Sequence, residues 1–124
     1  MQNLNKQQAL SRNRGRILEG LHLLVWESDF CLSTFELRRI RHSCRDKRVE
    51  GWLFAYQAYA SPDKTRNKLL KQNIRHPNPR IREQVCDIIG DEFIYELRCE
   101  LKKLFNDPVP YVAEAARYNH DEMF

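Results

Sequence analysis

Six positive charges crowd into eleven residues, Arg38, Arg39, Arg41, Arg45, Lys47 and Arg48, with His42 among them. Guanidinium forks match carboxylates and phosphates in a two-bond geometry, so this run suits contact with an acidic protein surface or a phosphate backbone. The plainer alternative is the solvated face of an amphipathic helix, balanced by acidic residues elsewhere in the chain. Trp52, Phe54, Tyr56 and Tyr59 follow at once. On a helix, Trp52, Tyr56 and Tyr59 share one side and Phe54 lies roughly opposite, so all four are core only if that helix is central. Aromatics beside arginines can anchor a protein interface or stack bases. Trp52 and Phe54 therefore join the six basic residues as candidates for partner contact.

A second candidate surface is acidic. Glu92, Glu96 and Glu100 fall at i, i+4 and i+8, the spacing of one face of a helix. Such a row suits a basic partner, or simply water. Cys31, His42 and Cys44 carry zinc-ligand chemistry, but their spacing fits no familiar finger and Cys44 falls on an apolar stripe. Cys86 and Cys99 read as small core side chains. No nucleophile elbow, P-loop, H-E-x-x-H or dinucleotide fingerprint occurs, and His22, His76 and His120 have no Ser or Cys beside them to suggest a triad. The expectation is a protein without enzymatic activity, metal or cofactor.

These residues need helices to position them, and the pattern supplies helices only. Residues 1–12 lack a sustained stripe and are expected as a frayed arm or short helix. From Arg14 to Phe30, Ile17, Leu21 and Leu24 recur at helical spacing with Leu18 and Val25 beside them, the pattern of a helix buried on more than one side. Ser33-Thr34-Phe35-Glu36 is a capping box that starts the helix bearing Leu37, Ile40 and Cys44. Asp46 caps the next, with Val49, Trp52, Leu53, Tyr56 and Ala60 as its apolar face. Ser61-Pro62-Asp63 opens a mostly polar helix that reaches Ile74. Asn78-Pro79 opens the fifth, which Gly90 is expected to end in a left-handed turn. Asp91 caps the sixth helix and Asp107-Pro108 the seventh, and the tail at 120–124 has no period. Strand-like alternation persists nowhere.

The segment 76–119 repeats itself. Pro77-Asn78-Pro79 and Pro108-Val109-Pro110 stand 31 residues apart, and the apolar pairs Ile81/Val112 and Val85/Ala116 keep the same offset. A period of about 30 residues built from two short helices marks a helical solenoid. Asn106-Asp107-Pro108, Ile81-Arg82 and Ile89-Gly90-Asp91 resemble the turn, Val-Arg pair and closing Gly of HEAT-like repeats. The resemblance spans about residues 46–119 and is clearest at 76–119. It departs at Val112-Ala113, where Val-Arg would stand. It implies an all-α, short α–α superhelix of about seven helices in two and a half to three hairpins, forming a single domain over 1–124. It also implies that Arg82 makes a structural bond to Asp107 or Asp91.

The net charge of +4 hides an asymmetry. Residues 1–82 carry 17 Lys/Arg against 7 Asp/Glu, and residues 83–124 carry 4 against 10. Such polarity steers partners more than it stabilises a fold. Four cysteines without a C-x-x-C pair suit a reducing compartment, and the polar, basic first sixteen residues hold no apolar leader segment. A cytoplasmic protein is expected, with no membrane span. The expected role is a protein-binding module. The HEAT-like resemblance extends to small bacterial binding proteins, and the concrete form is an immunity or antitoxin protein that covers the active site of a cognate toxin. The overall positive charge weighs against an inhibitor of nucleases. Nucleic-acid binding through Arg38–Arg48, aided by Arg12, Arg14 and Arg16, is the alternative. No residue pattern favours a lyase- or chaperone-type role.

Overall fold

A computed structural model describes residues 3–123. Among them the chain is helical throughout and contains no strand. The helices are α1 (Leu4–Ala9), α2 (Arg14–Trp26), α3 (Thr34–Ser43), α4 (Lys47–Ala60), α5 (Asp63–Gln72), α6 (Pro79–Asp91), α7 (Arg98–Lys102) and α8 (Pro110–Glu122). A 3-10 turn at Tyr95–Leu97 precedes α7. The chain forms two compact units, residues 1–60 and 61–124.

The first unit holds α1 to α4. Side-chain caps start its helices: Asn3 accepts from the Lys6 N–H and Asn13 from the Arg16 N–H, while Ser33 and Glu36 form the expected reciprocal box. Asp46 accepts from the N–H groups of Arg48 and Val49, as its position before α4 predicts. Of the frayed arm or short helix expected for residues 1–12, the short helix forms, and α1 is docked on α2. Its approach to α2 is close enough that a Cβ on Gly20 would sit 2.6 Å from the Asn5 carbonyl and 2.9 Å from the Ala9 Cα. Any larger residue at Gly20 would push two backbones apart. Met1, Gln2 and Phe124, which belong to the expected arm and tail, lie outside the described residues.

The stripe Ile17, Leu21 and Leu24 is fully buried and joins Ala9, Leu32, Ile40, Val49, Leu53 and Tyr56 in one core. A buried N–H must find an acceptor. The Leu32 N–H finds one in the Tyr56 hydroxyl at 2.7 Å. Phe54 is also buried, 8% exposed, together with Gly51, Ala55 and Ala58. α4 is thus covered around most of its circumference, which answers why aromatics occupy both its faces.

The second unit holds α5 to α8. α5 is largely exposed, with Leu70 its one buried residue and Ile74 buried just beyond it. Pro62 holds its N-cap position, one residue after the expected Ser61. α6 and α8 keep the 31-residue register, both beginning on proline, and pack against each other. Ile81, Val85, Val112 and Ala116 are all buried.

Gly90 is not the left-handed end of α6. It lies inside the helix, where a Cβ would fall 2.6 Å from Cγ and 2.8 Å from Cβ of Asn119 on α8. The left-handed residue is Phe93, at φ 50°. The Ile94 N–H then bonds the Ile89 carbonyl at 2.9 Å and closes the helix. That turn occupies the residues expected to begin the sixth helix. Asp91 is therefore the last residue of α6 rather than a cap. Ile94, Leu97, Leu101 and Leu104 are still all buried, but a turn, a 3-10 segment and five residues of α7 carry them in place of one long helix. At the other end, Asp107 accepts from the Val109 N–H, while α8 itself starts without a side-chain cap. The expected loose tail is also replaced. α8 runs to Glu122, His120 is buried, and Met123 is 2% exposed.

Candidate functional site

The basic run occupies the outer side of α3 and the first turn of α4. Leu37, Ile40 and Cys44 turn inward at i, i+3 and i+7, and Ile40 is fully buried. That phase leaves Arg38, Arg39, Arg41 and Arg45 outside, and all four are exposed, as are His42, Lys47 and Arg48. Elsewhere in this unit Lys6 pairs with Glu36 and Arg14 with Asp46. Both carboxylates are held below their ordinary pKa: Asp46 first by the Arg14 hydrogen bond, Glu36 first by the Ser33 N–H. Glu36 and Asp46 are thus committed to helix caps and to other cations.

Arg38, Arg41, His42 and Arg45 line an open cleft of about 240 Å³, closed on one side by half-buried Glu50 of α4. This is smaller than the roughly 300–1,000 Å³ of sites that engulf a small molecule. It suits the end of a side chain or a single anionic group.

Two aromatics that composition did not single out are exposed in the same unit. Phe35 is 72% exposed. It stands one turn before Arg38 and Arg39 on α3, out of phase with the Leu37–Ile40–Cys44 stripe, and that phase was the available signal. Trp26 is 79% exposed at the end of α2. Its ring lies parallel to that of His22, with centroids 6.4 Å apart, and His22 meets Trp52 edge-on at 4.9 Å. Trp52 is half-buried beneath this pair, whereas Phe54 is withdrawn into the protein and presents no ring to a partner.

The acidic candidates do not form a row. Glu92 follows the end of α6, Glu96 sits in the 3-10 turn, and Glu100 lies on α7. Glu96 accepts from the Asn67 amide at 3.0 Å and Glu100 pairs with Lys103 at 2.9 Å. The i, i+4, i+8 geometry required one continuous helix, and Phe93 breaks it.

Division at the unit boundary also redraws the charge map. Residues 1–60 carry 10 Lys/Arg against 6 Asp/Glu, and residues 61–124 carry 11 of each. The first unit holds the whole excess.

The four cysteines are free thiols: Cys31 and Cys99 exposed, Cys44 half-buried, Cys86 buried. Cys99, expected in the core, instead faces outward because it lies two residues from both buried Leu97 and buried Leu101, on the opposite side of the helix. Among the described residues no group of three or more metal-ligating side chains gathers, and no helix is long and apolar enough to cross a membrane. The chain matches no protein-family profile, no curated protein and no solved structure.

Proposed function

We propose that the chain is a non-enzymatic protein-binding module whose contact face is the outer side of α3, and that its partner is an acidic protein. The observation that carries this reading is the exposed set Arg38, Arg39 and Arg41 beside exposed Phe35 on one short, capped helix, with exposed Arg45 just past its end. Arginine and aromatic side chains dominate the energetics of protein interfaces, and a surface cluster of one charge sign steers encounter. The concrete form is an immunity or antitoxin protein that covers an acidic surface of a cognate toxin. The finer architecture belongs to the same reading, a HEAT-like α–α superhelix. It is supported by the 31-residue register of α6 and α8 and by the bond from Arg82 to Asp107.

The test is affinity capture with the wild type and with the Arg38→Glu/Arg39→Glu variant. The expected result is a stoichiometric acidic protein retained by the wild type and lost by the variant, with both melting at the same temperature. Equal retention by the two would remove α3 as the interface.

Exposed Trp26, and exposed Phe35 one turn from Arg38 and Arg39, also favour a second reading, single-stranded nucleic acid stacked on the rings. That reading requires affinity to fall linearly with salt on log–log axes, with little sequence preference. Absence of binding near physiological salt removes it.

A further inference from the structure

Resting on the acidic-partner reading, the geometry points to one peptide subsite: the cleft between α3 and the first turns of α4 takes an acidic side chain of the partner, and Glu50 takes an N–H from the same segment. The lining residues are three arginines, His42 and one acid, Glu50. Three arginines converging on a volume of about 240 Å³ offer a carboxylate several fork-shaped donors at once. The volume admits the end of a side chain.

Glu50 decides between polyanions. A phosphodiester backbone presents acceptors and negative charge, so a carboxylate in the lining repels it and gains nothing in return. A peptide presents an N–H at nearly every residue beside its acidic side chains, and a carboxylate has about four acceptor positions. The mixed lining therefore reads both parts of an acidic peptide and penalises a pure polyanion. Phe35, one turn earlier on α3, stands where an apolar neighbour of the acidic residue would settle.

The experiment titrates a short fluorescein-labelled peptide of Glu and Leu, and separately a labelled oligonucleotide of similar charge, against the full chain. Arg41→Glu/Arg45→Glu is expected to weaken the peptide by about tenfold or more, the loss of charged hydrogen bonds, with the melting temperature unchanged. Arg41→Lys keeps the charge and loses the fork, and is expected to weaken it less. Glu50→Gln is the sharpest arm: it should weaken the peptide and tighten the oligonucleotide. Tightening of both would overturn the role given to Glu50. Normal peptide binding by the Arg41/Arg45 variant, with loss in Arg39→Glu/Arg48→Glu, would remove the cleft and leave the acidic-partner reading standing. A wild type that prefers the oligonucleotide, or that ignores the peptide, would remove both.

Discussion

Arg82 and Asp107 meet in a two-pronged ion pair across 25 residues of chain, Nε to Oδ2 at 2.8 Å and Nη2 to Oδ1 at 3.0 Å. The remaining nitrogen of the guanidinium donates to the carbonyls of His76 and Pro77, at 2.7 and 3.2 Å. Asp107 in turn accepts from the Val109 N–H. One arginine thus ties the proline turn before α6 to the proline turn before α8, and sets the register in which the two helices pack.

The pair is largely withdrawn from water, with side-chain exposures of 12% for Arg82 and 5% for Asp107. Removing one partner strands the other, at a cost of about 3 kcal/mol, the lower end for such pairs because Arg82 still touches solvent. Arg82→Ala should therefore lower the unfolding free energy by about that amount, and Arg82→Lys should recover little, since a point charge cannot make the fork. Urea unfolding of both variants gives the comparison.

The same pair makes stability depend on pH. Burial raises the Asp107 pKa, but the bonds from Arg82 and the Val109 N–H outweigh it, and the carboxyl stays below its ordinary value. A carboxyl depressed in the folded state stabilises above its unfolded pKa of about 3.9 and loses that contribution as pH falls through the folded value. The gap in stability between wild type and Asp107→Asn should be constant near neutrality and narrow below about pH 4. A gap that is flat into strong acid would show that the charge does not matter.

Two glycine exchanges should act in opposite directions. Gly90→Ala raises helix propensity by about 1 kcal/mol, yet its Cβ enters the space of Asn119, whose amide bridges Asp87 and the Ala115 carbonyl. Overpacking at a buried contact costs about 1–3 kcal/mol, so the net effect is a loss. Phe93→Gly relieves a left-handed backbone at φ 50°, worth about 1–2 kcal/mol for an ordinary residue, and gives up little packing because Phe93 is exposed. After the added freedom of the unfolded chain, a gain of up to about 1 kcal/mol remains. Thermal melts of the two variants should move to opposite sides of the wild type.

Gly90 and Phe93 also show where the sequence stops being legible. Periodicity reported which side chains are buried: Ile94, Leu97, Leu101 and Leu104 all are. It could not report that a left-handed Phe and a 3-10 turn deliver them, because a buried spacing of three or four survives a broken helix. Local chemistry was readable where a cap or a fork satisfies a known donor, as at Ser33, Asp46 and Arg82. The candidate site was half readable. Arg38 to Arg45 are exposed because Leu37 and Ile40 fix the phase of α3, but the depth of Phe54 depends on covering that no spacing on α4 encodes.

Tyr56 offers a spectroscopic test of the first unit. Its hydroxyl is buried and accepts from the Leu32 N–H, and burial pushes its pKa up to about 12. A phenol whose pKa is raised in the folded state leaves stability unchanged below its unfolded value of about 10 and lowers it as pH climbs toward 12. Tyr56→Phe leaves the Leu32 N–H without its acceptor, a loss of about 1–3 kcal/mol at neutral pH. The ultraviolet titration of the wild type should contain one late-ionising tyrosine that is missing from the variant. Without it, the packing of Tyr56 under Leu32 is wrong.

The cysteines test the second unit independently. The thiolate is the reacting species, so a thiol that is buried and hard to ionise reacts slowly. Cys86 is fully buried on α6, and burial pushes its pKa up to about 12. Cys99 stands exposed on α7, opposite the buried Leu97 and Leu101. Brief iodoacetamide treatment of the native protein should modify Cys99 and spare Cys86, as read by peptide mass mapping. In denaturant both should react fully. Cys86→Ser would add a buried hydroxyl and should lower the melting temperature, whereas Cys99→Ser should leave it unmoved. Equal native reactivity of the two thiols would mean that α6 does not bury Cys86 as described.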